Sequence, residues 1–257
     1  VQRCMAAWPE QPAVSLALVR EGKTVLAKGY GVRRQGKAEP ADEHTLFAIA
    51  SNTKAFTAAS LSMLADEGKL SLDDRVVDHL PGFRMSDPYV TGQMRIRDLL
   101  THRSGLGLGA GDLLFWPGSD YRNEEVVRRL KDVPLKTGFR ERYAYDNILY
   151  AVATRVIEEV SGQSYAQFLQ QRFFDPLGMG GTRFNADALR PGDNVATGHA
   201  MADFTTLQPA PRMTWRNVAG AGGPRSDSIN ARLSNGEFVI NAAATAQHRG
   251  LLEAINS

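Results

Sequence analysis

The chain has one cysteine, Cys4, in 257 residues, so no internal disulfide can brace it. A lone thiol leaves the redox compartment open and suits a cytoplasmic or a periplasmic bacterial protein. No apolar run approaches the ~20 residues that span a bilayer, which argues against a transmembrane helix in these residues. The opening Val1-Gln2-Arg3-Cys4 lacks the charged start and apolar core of a signal peptide, although a leader removed earlier is compatible with it. Neither sign of charge dominates. Thirty basic and 28 acidic residues leave a formal charge of +2, and nothing in that favours nucleic acid or an anionic membrane as partner. Internal repeats are also missing. What is present is ordinary globular composition, 43% hydrophobic and 23% charged, in a chain long enough for a sizeable core and one or two packed subdomains.

Two strand-like runs, 13–19 and 24–30, flank Arg20-Glu21-Gly22-Lys23 and predict an antiparallel hairpin with Gly22 in the turn. Residues 1–8 look like the end of a helix leading into it. A helix is expected over 51–67, with Phe56, Ala59, Met63 and Leu64 near one face and Gly68 ending it. Further helices are expected at 96–101, at 123–131 behind an N-cap, and at 165–174, with an irregular Gly/Asp/Pro-rich loop over 103–122. The most regular helix is 146–160. Ile148, Val152, Val156 and Val160 recur every four residues, Asp146 can cap it and Gly162 stops it. Residues 185–217 read as loop with one short strand. After Gly220-Ala221-Gly222-Gly223-Pro224, a strand at 237–241 and an alanine-rich helix at 242–255 close the chain. Strands at both ends with helices between predict an α+β fold, an antiparallel sheet built from the two termini with a helical region inserted.

The chemistry concentrates in Ser51-Asn52-Thr53-Lys54, an S-x-x-K motif at a predicted helix start. Residues i and i+3 share a helix face, so the ammonium sits one turn above the hydroxyl. A serine hydroxyl is a poor nucleophile until a base takes its proton, and a lysine can be that base when burial lowers its pKa. The helix start adds backbone N–H groups near developing negative charge. On its own the motif reads as well as an N-cap serine with a solvated lysine, but it emerges from the apolar run Leu46-Phe47-Ala48-Ile49-Ala50. The second feature is Tyr145-Asp146-Asn147, a Y-x-N motif before the strongest helix. A phenol there can pass a proton between serine and leaving group, and Asn147 can bond both the lysine and a substrate carbonyl. The plainer alternative is a core tyrosine followed by a capping Asx pair.

Taken together the chain resembles the family of class C β-lactamases, D-alanyl-D-alanine peptidases and family VIII carboxylesterases, over roughly 10–223. The residues that carry the resemblance are Phe47-Ala48-Ile49-Ala50-Ser51-Asn52-Thr53-Lys54, Leu70-Ser71-Leu72-Asp73-Asp74, Leu99-Leu100-Thr101-His102-Arg103-Ser104-Gly105-Leu106, Tyr145-Asp146-Asn147, Pro176-Leu177-Gly178-Met179 and Ala221-Gly222-Gly223. It implies a β-lactamase/transpeptidase-like fold, with Ser51 as nucleophile, Lys54 as base, Tyr145 as proton relay and Asn147 as substrate-positioning group. It also implies an acyl-enzyme hydrolysed by water, without metal or organic cofactor.

The family's third motif, K-T-G or H-x-G on a sheet strand that also supplies an oxyanion N–H, is not matched in place. Lys136-Thr137-Gly138 has the letters but lies on the approach to Tyr145, and His248-Arg249-Gly250 falls inside the predicted C-terminal helix, whose N–H groups are already bonded. Ser226-Asp227-Ser228 lacks the amide of an S-D-N motif. The chain is expected to stop short of the family's closing strands, and 226–257 resembles the C-terminal end of phage tail tape-measure proteins. Two segments are therefore expected: a hydrolase domain over 1–223, and an atypical tail over 224–257 whose strand and helix pack on the sheet or on a partner subunit. The latter would give a strand-exchanged homodimer. Three functions compete. An esterase on small neutral esters needs least from the missing third-motif lysine. A β-lactamase or D-alanyl peptidase needs more, and a catalytically impaired or structural protein needs no complete site.

Overall fold

In a computed structural model the protein is described over residues 1–115, 121–201 and 206–210, together with the backbone of residues 239 and 240. A short helix α1 (Gln2–Ala7) leads into the hairpin β1 (Ala13–Arg20) and β2 (Lys23–Gly31). The strands are antiparallel, from Ala13 opposite Gly31 to Arg20 opposite Lys23. Glu21 and Gly22 both take positive φ, 50° and 75°, the two-residue turn whose twist matches its flanking strands. The short strand β3 (Phe47–Ala48) then runs into α2 (Thr53–Asp66).

The helical region surrounds one element. Helix α6 (Ile148–Ser161) buries Ile148, Leu149, Tyr150, Val152, Val156 and Ile157, more than a single stripe, because α2, α5 (Asn123–Arg129) and α7 (Tyr165–Leu169) pack around it along with the 3-10 turn Ile96–Leu100. Gly162, at φ 69°, ends it and donates its N–H to the Glu158 carbonyl at 2.9 Å. Two short helices, α3 (Val76–His79) and α4 (Pro88–Gln93), close one side. On α2, Phe56 meets Phe173 and Phe174 edge-on, at 5.7 and 6.3 Å between ring centroids.

Several expectations shift at this level. The 96–101 segment is a 3-10 turn, and 165–174 divides into α7 and a π turn over Gln170–Phe174. The residue before α5, Arg122, makes no side-chain capping bond, and Asn123 is the helix's first residue. The Asn123 side-chain amide instead donates to the Ala151 carbonyl at 3.1 Å, tying α5 to α6. Asp146 precedes an α6 that starts at Ile148, and its carboxylate is held by the Ser104 hydroxyl and the Leu149 amide. The 185–217 stretch holds two strands instead of one, β4 (His199–Met201) and β5 (Leu207–Pro209), paired antiparallel. They join the rest through Leu46, which exchanges backbone bonds with Asn194 and Ala196 at 2.8 and 2.9 Å and packs on Val195. A last strand, β6 (Val239–Ile240), pairs antiparallel with β3, Phe47 opposite Ile240. The remaining readings of the tail, including the helix at 242–255 and the motifs at 226–228 and 248–250, lie outside the described residues. So the fold is α+β, a helical bundle beside small antiparallel sheets, as the resemblance implies. No described helix is long and apolar enough to cross a membrane.

Candidate active site

Strand β3 delivers the chain to Ala50, which takes the left-handed conformation at φ 45°, an uncommon choice for a residue with a Cβ. The reversal feeds a 3-10 turn, Ala50–Asn52, directly into α2. It leaves Ser51 half-buried at the helix mouth while Lys54, 7% exposed, points up the same face. From the opposite side, the corner before α6 presents Tyr145 and Asn147.

The four sequence-singled residues converge. Lys54 Nζ lies 3.0 Å from Ser51 Oγ and 2.8 Å from Asn147 Oδ1. Tyr145 OH lies 2.7 Å from the same Ser51 Oγ. The lysine ammonium also sits 4.8 Å from the Tyr145 ring centroid and 5.3 Å from that of Tyr150, aromatic faces that attract a cation. Two donors on one hydroxyl is the resting arrangement. For the serine to attack, one of them has to have given up its own proton, so that it can accept the serine's.

Around this quartet stands a ring of groups to which the sequence assigned no role in the chemistry. His102, itself at φ 56°, accepts the Asp146 N–H on Nδ1 at 3.2 Å and lies 4.4 Å from the Tyr145 ring. Burial, then the Lys54 charge, pull its pKa down to about 4, so it is a neutral wall at pH 7. Ser104 donates to Asp146 at 3.3 Å and accepts the Leu106 N–H. Asp112 accepts from Asn147 Nδ2 at 3.1 Å. Burial pushes both Asp112 and Asp146 up to about 7, with hydrogen bonds and Lys54 pulling the other way. The Lys136-Thr137-Gly138 run lies where the approach to the corner was expected, its first two amides bonded to the Gly105 carbonyl. Among the described residues no group of three or more His, Cys, Asp or Glu is placed to hold a metal ion. The cavity of about 610 Å³ between α1, β3 and β4 is lined by none of the four converging residues, so its size does not bear on the chemistry.

A family model described as Beta-lactamase matches residues 1–229. "Protein flp" of Staphylococcus aureus (strain MW2) is 34% identical over 173 residues, 67% of this chain and 35% of its own length. The chain thus spans about a third of the length of the curated relative it matches. The octameric penicillin-binding protein homologue from Pyrococcus abyssi superposes with a TM-score of 0.76 at 25% identity, over 100% of this chain and 55% of that one. The D-amino acid amidase from Ochrobactrum anthropi SV3, complexed with L-phenylalanine, gives 0.70 at 25% identity over 95% and 67%.

Proposed function

Because the chain belongs to the beta-lactamase family of serine hydrolases, we propose that it is an acyl hydrolase that works through an ester on Ser51, with small neutral carboxylic esters as its substrates. The observation that carries this reading is the position of Ser51 Oγ between Tyr145 OH at 2.7 Å and Lys54 Nζ at 3.0 Å. Lys54 in its neutral form takes the serine proton as Oγ bonds to the substrate carbonyl carbon. The tetrahedral adduct then collapses, the alkoxide leaves, and Tyr145 hands it the proton it needs, refilled from Lys54. Water attacks the acyl-enzyme by the same steps reversed. Asn147 holds the lysine through its amide oxygen.

The ester preference has a separate basis. Substrates that carry a carboxylate call for a cation opposite the serine, and the Lys136-Thr137-Gly138 run, which has the third-motif letters, is instead held on the approach to Tyr145 by the Gly105 carbonyl. A neutral ester makes no such demand, and its alkoxide leaves more readily than an amine. Fluorophosphonate labelling with mass mapping tests the mechanism, and kcat/KM on p-nitrophenyl butyrate against nitrocefin tests the substrate. An adduct on any residue but Ser51 sinks the first, and faster nitrocefin turnover sinks the second.

A further inference from the structure

We infer that Asp112 is a positioning residue, whose carboxylate decides which end of the Asn147 amide faces Lys54. The inference rests on the acyl-enzyme reading above. Asp112 is 3% exposed and Asn147 fully buried, so neither can trade its partner for bulk water. An ammonium only donates, and therefore takes the amide oxygen, Oδ1, at 2.8 Å. An ionised carboxylate only accepts, and therefore takes the amide nitrogen, Nδ2, at 3.1 Å. Each end of the chain Lys54–Asn147–Asp112 thus fixes the other. If Asp112 gains a proton it can donate to Oδ1 instead. The amide then turns its N–H₂ toward Lys54, an arrangement compatible only with a neutral amine.

The placement is built into the backbone. Gly109 donates its N–H to the Tyr145 carbonyl at 2.9 Å, and Asp112 donates its own to the Gly109 carbonyl at 3.1 Å. Gly111 takes φ 81°, and a Cβ there would fall 2.6 Å from Ile148 Cδ1. Glycine therefore lets this loop press against the corner that carries Tyr145 and Asn147. The charged and titratable groups facing Asp112 among the described residues are Lys54 on α2 and Asp146 before α6, with His102 and Tyr145 beyond them. The other carboxylate oxygen, Oδ1, has no hydrogen-bond partner among the described residues. Burial lifts the group to about 7, so its proton exchanges near neutral pH, where the enzyme would work.

The test is the pH dependence of Ser51 acylation by a fluorophosphonate in Asp112→Asn. Removing a negative charge that close favours the neutral lysine, so the rising limb should move about one unit to lower pH. The plateau should fall about tenfold through loss of the fixed amide orientation. A side chain that merely fills space would lower the melting temperature and leave the limb where it was, and that result overturns the inference. A second measurement needs no Asp112 variant. In the wild-type protein the Asn147 side-chain amide signals, assigned by their absence in Asn147→Ser, should titrate with the apparent pKa of the acylation limb. Signals that stay fixed from pH 5 to 9 overturn the inference as well. If the wild-type protein takes no label on Ser51 at any pH, the acyl-enzyme reading fails instead, and the amide titration still decides whether Asp112 and Asn147 are coupled.

Discussion

The helical region and the sheet region hold themselves together differently. Around α6 the side chains interlock: Leu61, Leu64, Leu99, Leu149, Val156 and Ile157 are all fully buried, and every group placed at the candidate site except Ser51 is anchored in that packing. The hairpin has no comparable cover among the described residues. Leu18 and Val25 are 53% and 54% exposed, and the neighbouring cluster consists of Leu46 and Val195 with Ala48 and Leu189 against them. The lesson is that the proton chemistry belongs to the half that is complete. Four changes of decreasing size would break or sharpen that contrast.

The largest is loss of the nucleophile. Ser51→Ala should reduce ester turnover to background, a drop of about 10⁴-fold or more, since no neighbouring group can form the acyl intermediate. Lys54→Met should follow at about 10²–10⁴-fold. Both should melt close to the wild-type temperature if the bundle holds itself without them. A Lys54→Met protein that turns over ester at the wild-type rate would remove the lysine from the mechanism.

Next in size is a pH dependence peculiar to the helical region. Asp112 and Asp146 are pushed up to about 7 from an ordinary 3.8. Between those values the folded chain keeps protons that the unfolded chain has lost. Stability is therefore full below about pH 4, falls as pH rises, and levels off above about 7. The ceiling is about 4 kcal/mol for each group, less whatever the site relaxes. His102, held down to about 4 from 6.5, works the opposite way in the same window, its share being lost as pH falls. The carboxylates held low by their partners, Glu67 and Glu125 among them, act below that window and do not blur it. Two acids against one base leave a net loss from pH 5 to pH 8, which urea unfolding at the two values measures. A protein more stable at pH 8 would mean the aspartates are ionised in the fold.

How far the site was legible follows from how local each contact is. Ser51 and Lys54 are joined by helix geometry, and Tyr145 and Asn147 by a two-residue spacing before a strongly periodic helix, so sequence reaches all four. Asp112 reads as a turn residue in a Gly-rich loop. Its burial exists only because Gly109 and Gly111 let that loop touch Tyr145 and Ile148, and the flanking glycines were the one available signal. His102 lies in a run that carries the family resemblance, but nothing local to that run shows that Asp146 donates to it. In the fold, long periodic elements were readable, whereas β4 and β5 are three residues each, too short for alternation to register. The π turn at 170–174 departs from α7 without any change in composition.

Third, the bundle should be sensitive where it is tightest. Leu64 on α2 is fully buried, and Leu64→Ala removes its contacts and leaves a cavity, at about 2–5 kcal/mol. Chemical unfolding reads this directly. A loss under about 1 kcal/mol would mean the bundle is looser than its burial implies, and the contrast between the two halves would weaken from the helical side.

The smallest expected effect bears on the sheet side. With Leu18 about half exposed, Leu18→Thr should shift stability by no more than about 0.5 kcal/mol, as surface changes do. Threonine keeps the strand propensity of its site, so the shift reports cover and little else. The result separates two pictures of the hairpin. A two-stranded ribbon is marginal alone, and its outer row of apolar side chains makes sense if a further segment lies over it. The sequence predicts that 224–257 packs on the sheet or on a partner subunit, and the pairing of β6 with β3 brings the backbone of that segment to the strand that leads into Ser51. If the tail or a second copy covers the Leu18 row, the side chain is buried in solution and Leu18→Thr should cost about 1–3 kcal/mol. Cover by a second copy would make that loss depend on protein concentration, and cover by the tail would not. A loss near zero at every concentration leaves the row open to solvent and confines the protein's stability to the helices that carry the candidate site.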